Sequence, residues 1–158
     1  MTKLWPQQEA QRIVQRFPKA DTYLLETGFG PSGHPHMGTV GEVVRTHFVA
    51  MALAELGKKS VVVVFSDDMD GLRKIPVNID APWLQEHLGK PVSAIPDPYG
   101  CCASYSDHMN KELRAMLDDT GIPYKFVSSS EEYKKGTYNQ VLQLALARNE
   151  QILNVILP

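Results

Sequence analysis

Along the chain, stretches of helical apolar spacing alternate with short continuous apolar runs. Ala10, Ile13, Val14 and Phe17 recur at helical intervals after Pro6, and Pro18 closes the stretch, which predicts an amphipathic helix. Thr22–Glu26 (T-Y-L-L-E) predicts a short buried strand, followed by a Gly/Pro/His loop from Gly28 to about Pro35. From Gly38 to Leu56, Val40, Val43, Val44, Phe48, Met51 and Ala54 return to a helical period, and Gly57 suits the position after a helix end. Ser60–Phe65 (S-V-V-V-V-F) is β-branched nearly throughout, as in a central parallel strand covered on both faces. Strand, crossover helix and strand make a right-handed βαβ unit.

Residues 66–105 hold five prolines and three glycines, with a short helix expected after Pro82, and read as an irregular excursion, not a linker. Met109, Leu113, Met116 and Leu117 predict a helix over Asp107–Leu117, closed by Gly121. Tyr124–Ser128 is a third strand. Thr137–Leu157 is mostly helical in period, through Val141, Leu144, Ala145, Ala147, Ile152 and Ile156. The expected fold is α/β, a three-layer domain with a parallel sheet.

Composition adds mostly exclusions. The 158 residues suit one domain with a real core. A net charge of −2 excludes a nucleic-acid binder acting by bulk charge. The longest apolar run, Val61–Phe65, is too short to span a bilayer, and M-T-K-L-W-P-Q-Q-E has no apolar signal region. Cys101 and Cys102 are adjacent, an awkward geometry for a disulfide. They read as inert thiols in a reducing compartment, and the expected location is the cytoplasm.

Gly28, Gly30 and Gly33 spell G-x-G-x-x-G after the first strand, the dinucleotide pattern. Two features oppose NAD. Pro31 and Pro35 bias the residues before them away from helix, so the helix starts cleanly only near residue 36, beyond the glycines. The ribose-reading acid is expected about 20 residues on, whereas the second strand ends in acids only at Asp67, 34 residues after Gly33. A second pattern, His36-Met37-Gly38-Thr39, stands at the helix start, where N–H groups and the macrodipole favour phosphate. Gly38 admits a nucleotide close to the backbone, and His36 can donate to phosphate oxygens during an in-line displacement. The P-loop pattern is absent.

P-S-G-H-P-H-M-G-T resembles the first signature of class I aminoacyl-tRNA synthetases, P-[ST]-G-x-x-H-[IM]-G-[HN]. The wider string E-T-G-F-G-P-S-G-H-P-H-M-G-T-V-G-E-V-V-R-T, with F-S-D-D-M-D-G-L-R-K-I-P, H-L-G-K-P and I-P-D-P-Y-G, is similar to the class I type of lysyl-tRNA synthetase. The resemblance runs from about residue 20 to the end. It implies a Rossmann-like catalytic domain, ATP with Mg²⁺, lysine and tRNA(Lys) as partners, and lysyl-adenylate as intermediate. By the same resemblance His36 and Thr39 are the catalytic pair, and Pro31, Ser32, Gly33, His36, Gly38 and Thr39 bind ATP. Gly28, Gly30, Glu42 and Asp68 line the lysine site, with Glu42 or Asp68 facing the ammonium.

The sequence departs from the family twice. Thr39 stands where Asn or His is usual, and no K-M-S-K-S-type loop follows; Lys134-Lys135-Gly136 lacks the flanking pattern. The chain is therefore expected to be the N-terminal part of a catalytic domain, 1–158, weak or inactive alone, with apolar surface exposed. The alternatives are a small nucleotidylyltransferase with an H-x-G-H-like site and a non-catalytic ligand-binding relic.

No metal site is predicted: His34, His36 and His47, with Asp67, Asp68 and Asp70, lack zinc-ligand spacing. Asp67-Asp68-Met69-Asp70 reads as solvated acids, with Mg²⁺ as the alternative. His47 reads as a packed histidine, His87 and His108 as surface residues, and Arg73-Lys74 as the best placed basic pair for phosphates.

Overall fold

The computed structural model describes residues 4–157. Helix α1 (Trp5–Arg16) leads into β1 (Thr22–Phe29), α2 (Met37–Glu55) and β2 (Lys59–Ser66). Two 3₁₀ turns, Pro82–His87 and Val92–Ala94, interrupt the following segment. Then come α3 (Tyr105–Asp118), β3 (Lys125–Ser128), α4 (Ser129–Lys135), α5 (Asn139–Ala147) and α6 (Asn149–Ile156).

The sheet has the order β1-β2-β3 and is wholly parallel. β1 pairs with β2 in register from Thr22↔Lys59 to Phe29↔Ser66, and β3 pairs with the second half of β2. β1 therefore runs three residues past the expected end at Glu26. Gly28 has little strand propensity, but its partner Phe65 holds it in the ladder, and Phe29 beyond it is buried. The excess length carries the chain to the carboxyl edge of the sheet, where open α/β sheets bind ligands.

Side chains alternate across the sheet. Tyr23 and Leu25 join Ala10, Val49, Ala52 and Leu53 under α1 and α2, and Phe29 joins Val40 and Val43. The same face carries Val62 and Val64 against α3, whose Tyr105, Met109, Leu113 and Leu117 are fully buried at four-residue intervals. On the other face Leu24 is 73% exposed, so that end of β1 is uncovered. The 67–104 segment is packed against the main core by Leu72, Ile79, Leu84, Val92 and Ile95.

The spacing did not predict α4. Its signal was present: Ser128-Ser129-Ser130-Glu131 is S-x-x-E, and the Ser128 hydroxyl accepts the Glu131 N–H. Helices α5 and α6 bury no residue and expose Val141, Leu144, Leu146, Val155 and Ile156. No described helix is long and apolar enough to cross a membrane.

Candidate active site and a four-donor cluster

The carboxyl ends of β1 and β2 open into a cleft of about 940 Å³. Its first wall is the start of α2. His36 is the N-cap residue, and its ring Nδ1 accepts the Gly38 N–H at 3.1 Å. In the neutral ring the proton therefore sits on Nε2, free to donate. The ring lies so close that a Cβ on residue 38 would meet its Cε1 and Nδ1 at 2.9 Å. Glycine at 38 is thus a condition of the cap as well as of ligand approach. Because the cap occupies the Gly38 N–H, the helix start offers an anion its macrodipole and the His36 Nε2–H.

The 30–36 loop is held from outside. The Tyr105 hydroxyl, on a wholly buried side chain, donates to the Ser32 carbonyl at 2.9 Å. Burial, with Tyr99 nearby, pushes that hydroxyl's pKa up to about 12, so it remains a donor. His34 Nδ1 lies 2.6 Å from Glu112 Oε2, and its Nε2 lies 2.8 Å from the Tyr99 hydroxyl.

Of the residues expected at the site, Gly28, Gly30, Pro31, Ser32, Gly33, His36, Gly38, Thr39 and Glu42 all line this cleft. Asp68 does not. It is 2% exposed; Ser128 Oγ and Ser129 Oγ donate to its two carboxylate oxygens, and the Ser130 N–H adds a third bond at 2.7 Å. Asp68 ties the end of β2 to the β3–α4 turn, where both of its carboxylate oxygens accept hydrogen bonds. Sequence reasoning missed this because the three serines lie some sixty residues away.

The neighbouring acids stay open. Asp70 lines the cleft, and Asp67 and Asp70 also line an adjoining recess of about 470 Å³ with Glu26, Tyr133 and Tyr138. Partial burial, then the negative charges of Asp70, Glu26 and Asp68, raises the Asp67 pKa above its ordinary value.

Three cations line the cleft as well: Arg45, Arg73 and Lys74. Among the described residues none of them enters an ion pair. Arg45 was missed; the signal was its position three residues after Glu42, on the same face of α2. Lys135, by contrast, is engaged by Glu132 at 2.9 Å on its own helix.

Beside the cleft, Asp97, Cys101, Cys102 and His108 bring four ligand atoms within 4.8 Å of one another. Of the expectations for these residues, only that of a surface His108 is corrected: its side chain is 12% exposed. The pattern D-x-x-x-C-C-x-x-x-x-x-H has no C-x-x-C to announce it. Zinc bonds of about 2.0–2.3 Å put tetrahedral ligands roughly 3.3–3.8 Å apart. Asp97 Oδ1 to His108 Nδ1 is 3.2 Å, Cys101 Sγ to His108 Nδ1 is 3.3 Å, and Sγ to Sγ is 3.6 Å. These three separations lie near that range, and the four atoms together lie within 4.8 Å of one another. Burial alone would raise the Asp97 pKa, but the N–H groups of Tyr99, Cys101 and Cys102, with His108 nearby, outweigh it and lower it. The carboxylate is thus kept ionised and aimed. The hydrogen bond to Cys102 raises the Cys101 thiol, an effect that a bound cation reverses.

The family model described as tRNA synthetases class I (K) matches residues 3–158. The chain belongs to this family. It is 43% identical over 162 residues to a Lysine--tRNA ligase of Roseobacter denitrificans, covering 99% of this chain and 31% of that protein. The Lysine--tRNA ligase of Rickettsia bellii is 42% identical over 163 residues, covering 99% of this chain and 31% of its own. That of Rickettsia felis is 42% identical over 160 residues, covering 98% and 30%. The chain thus spans about a third of the length of these relatives. His36 stands on the cap of α2, and its side chain lines the cleft.

Proposed function

We propose that the cleft binds ATP and lysine and forms the N-terminal part of a site that makes lysyl-adenylate for transfer to tRNA(Lys). The observation that carries this reading is the convergence, in one cleft, of the His36 cap, the residues Gly28 to Gly33 and three cations that enter no ion pair among the described residues. A lysine carboxylate oxygen would attack the α-phosphorus in line, forming the acyl-phosphate bond while the bond to the β-phosphate oxygen breaks and pyrophosphate leaves with its electron pair. Little covalent work falls to the protein in such a step; positioning and charge stabilisation do most of it.

His36 Nε2–H and the α2 macrodipole are aimed where negative charge grows. Thr39, on the first turn, adds a hydroxyl donor. Arg45, Arg73 and Lys74 offset the charge of the triphosphate, whose Mg²⁺ would travel with it. Glu42 and Asp70 are the cleft carboxylates open to the lysine ammonium. The relatives named Lysine--tRNA ligase are about three times this length, and the reading is made for this chain as a binding site, in the cytoplasm.

Calorimetry with a stable lysyl-adenylate analogue tests the reading, with a glutamyl-adenylate analogue and NAD as controls. Selective lysyl binding that disappears in Glu42→Ala is the expected result. Binding of NAD alone would return the three glycines to a dinucleotide role and overturn it.

A second reading concerns Asp97, Cys101, Cys102 and His108. Their clustering within 4.8 Å, with a donor set of two thiols, an imidazole and a carboxylate, supports one structural zinc ion per chain. Metal analysis of protein refolded with zinc and passed through a desalting column checks the stoichiometry. A Cys101→Ser, Cys102→Ser double variant that retains a full equivalent would sink it.

A further inference from the structure

We infer that Thr27 is a specificity-determining residue that reads the side-chain ammonium of lysine, in a side pocket opening off the cleft. The inference rests on the adenylate reading and adds to it the place where the lysine side chain ends. The side pocket has a volume of about 370 Å³. It shares Gly28, Glu42 and Arg45 with the cleft, and Thr27 lines it beyond them.

The state of the Thr27 hydroxyl is what points to a ligand. Side chains alternate along β1, so Thr27 lies between Leu25 and Phe29 on the face that α1 and α2 cover. The residue is 6% exposed, and its Oγ1 is buried without a hydrogen-bond partner. An unpaired buried hydroxyl costs free energy that a valine of nearly the same shape would not. Among the described residues one other buried side-chain atom lacks a partner, His47 Nδ1. That residue lines a space with Ser60 and Lys125, at the amino ends of β2 and β3. Of the two, only the Thr27 hydroxyl stands at the carboxyl end of the sheet, beside the cleft.

The side pocket suits an aliphatic stem with a cation at its end. Trp5 and Val49 supply apolar wall. Two acids, Glu26 and Glu42, stand against one cation, Arg45. None of the three enters an ion pair among the described residues. The balance is negative and favours a cationic group. An ammonium carries three donors and no acceptor, so it can engage the Thr27 oxygen and a carboxylate together. Lysine combines such a head with a four-carbon stem.

The test is calorimetry with two stable adenylate analogues, lysyl and norleucyl. The second has the same four-carbon stem without the ammonium. Thr27→Val removes the hydroxyl and keeps the branched shape. The lysyl analogue should then bind about 30-fold more weakly, as when one hydrogen bond to a charged group is lost. The norleucyl analogue should bind Thr27→Val as it binds the unchanged chain. Thr27→Ser, which keeps a hydroxyl, should restore most of the lysyl affinity. The urea midpoint of Thr27→Val should equal or exceed that of the unchanged chain, because no hydrogen bond within the chain is lost. A hydroxyl with a purely structural role gives the opposite pattern, a lower midpoint with both analogues weakened alike. That pattern overturns the role of Thr27. So does lysyl affinity that survives Thr27→Val but disappears in Glu42→Ala, and this result leaves the adenylate reading standing. Failure of the unchanged chain to bind the lysyl analogue overturns both.

Discussion

The cleft and the four-donor cluster use similar residue types in opposite ways. Around His36 the charged groups are open and largely unpaired: Arg45, Arg73, Lys74 and Glu42 wait on a ligand. Around His108 every polar group already faces another within the same loop and helix, with three backbone N–H groups on Asp97 alone. Unpaired polar groups in a concave surface signal that something else completes them. Mutually directed donors gathered within 4.8 Å suit a single small ion. On the proposed readings, the first region exchanges its occupant and the second keeps it.

The largest effect expected from this contrast is on stability. Stripping zinc should lower the unfolding free energy by about 4 kcal/mol relative to protein in free zinc at a thousand times Kd. Denaturant titration with and without chelator measures this. A midpoint indifferent to chelation would make the cluster a plain hydrogen-bonded loop.

Asp68→Ala comes next. Removal of a buried carboxylate leaves three donors without an acceptor, and the loss should be about 3 kcal/mol. The folded variant should bind the lysyl-adenylate analogue as the unchanged chain does. A selective loss of binding without a loss of stability would instead return Asp68 to the ligand site.

His36→Ala should weaken the same analogue about 100-fold, or about 2.7 kcal/mol, as when an oriented donor is removed from a charge-stabilising site. It also uncaps Gly38, which should lower stability by about 1 kcal/mol. Calorimetry and urea titration separate the two. Unchanged affinity would move the phosphate site off the start of α2.

The smallest effect is expected in the recess adjoining the cleft. Asp67 has a raised pKa from burial and from its acidic neighbours, so the folded state holds its proton more tightly than the unfolded state does. Stability then falls as pH rises through the window just above the ordinary value of 3.8. Asp67→Asn removes that penalty. At neutral pH it should gain about 0.5 kcal/mol, a modest figure because the group is largely solvated. Stability curves at about pH 4 and pH 7, compared between the two proteins, check the sign.

The sequence by itself determined the βαβ unit, the three parallel strands and the position of the loop before α2. These follow from local periods: four successive valines make a central strand, and two prolines delay α2 until His36. The family was legible too, because its signature is contiguous. Pairing decided the length of β1, since Gly28 stays in a strand only because Phe65 lies opposite. Tertiary structure also decided which of three neighbouring acids is buried. Asp68 and Asp70 are alike in sequence, but only Asp68 meets the serines of the β3–α4 turn. The metal cluster needed the fold as well. Its cysteines are neighbours, but the Asp97 turn and the first turn of α3 aim them at one point. Local spacing reports on secondary structure, and convergence of side chains depends on how the chain returns through space.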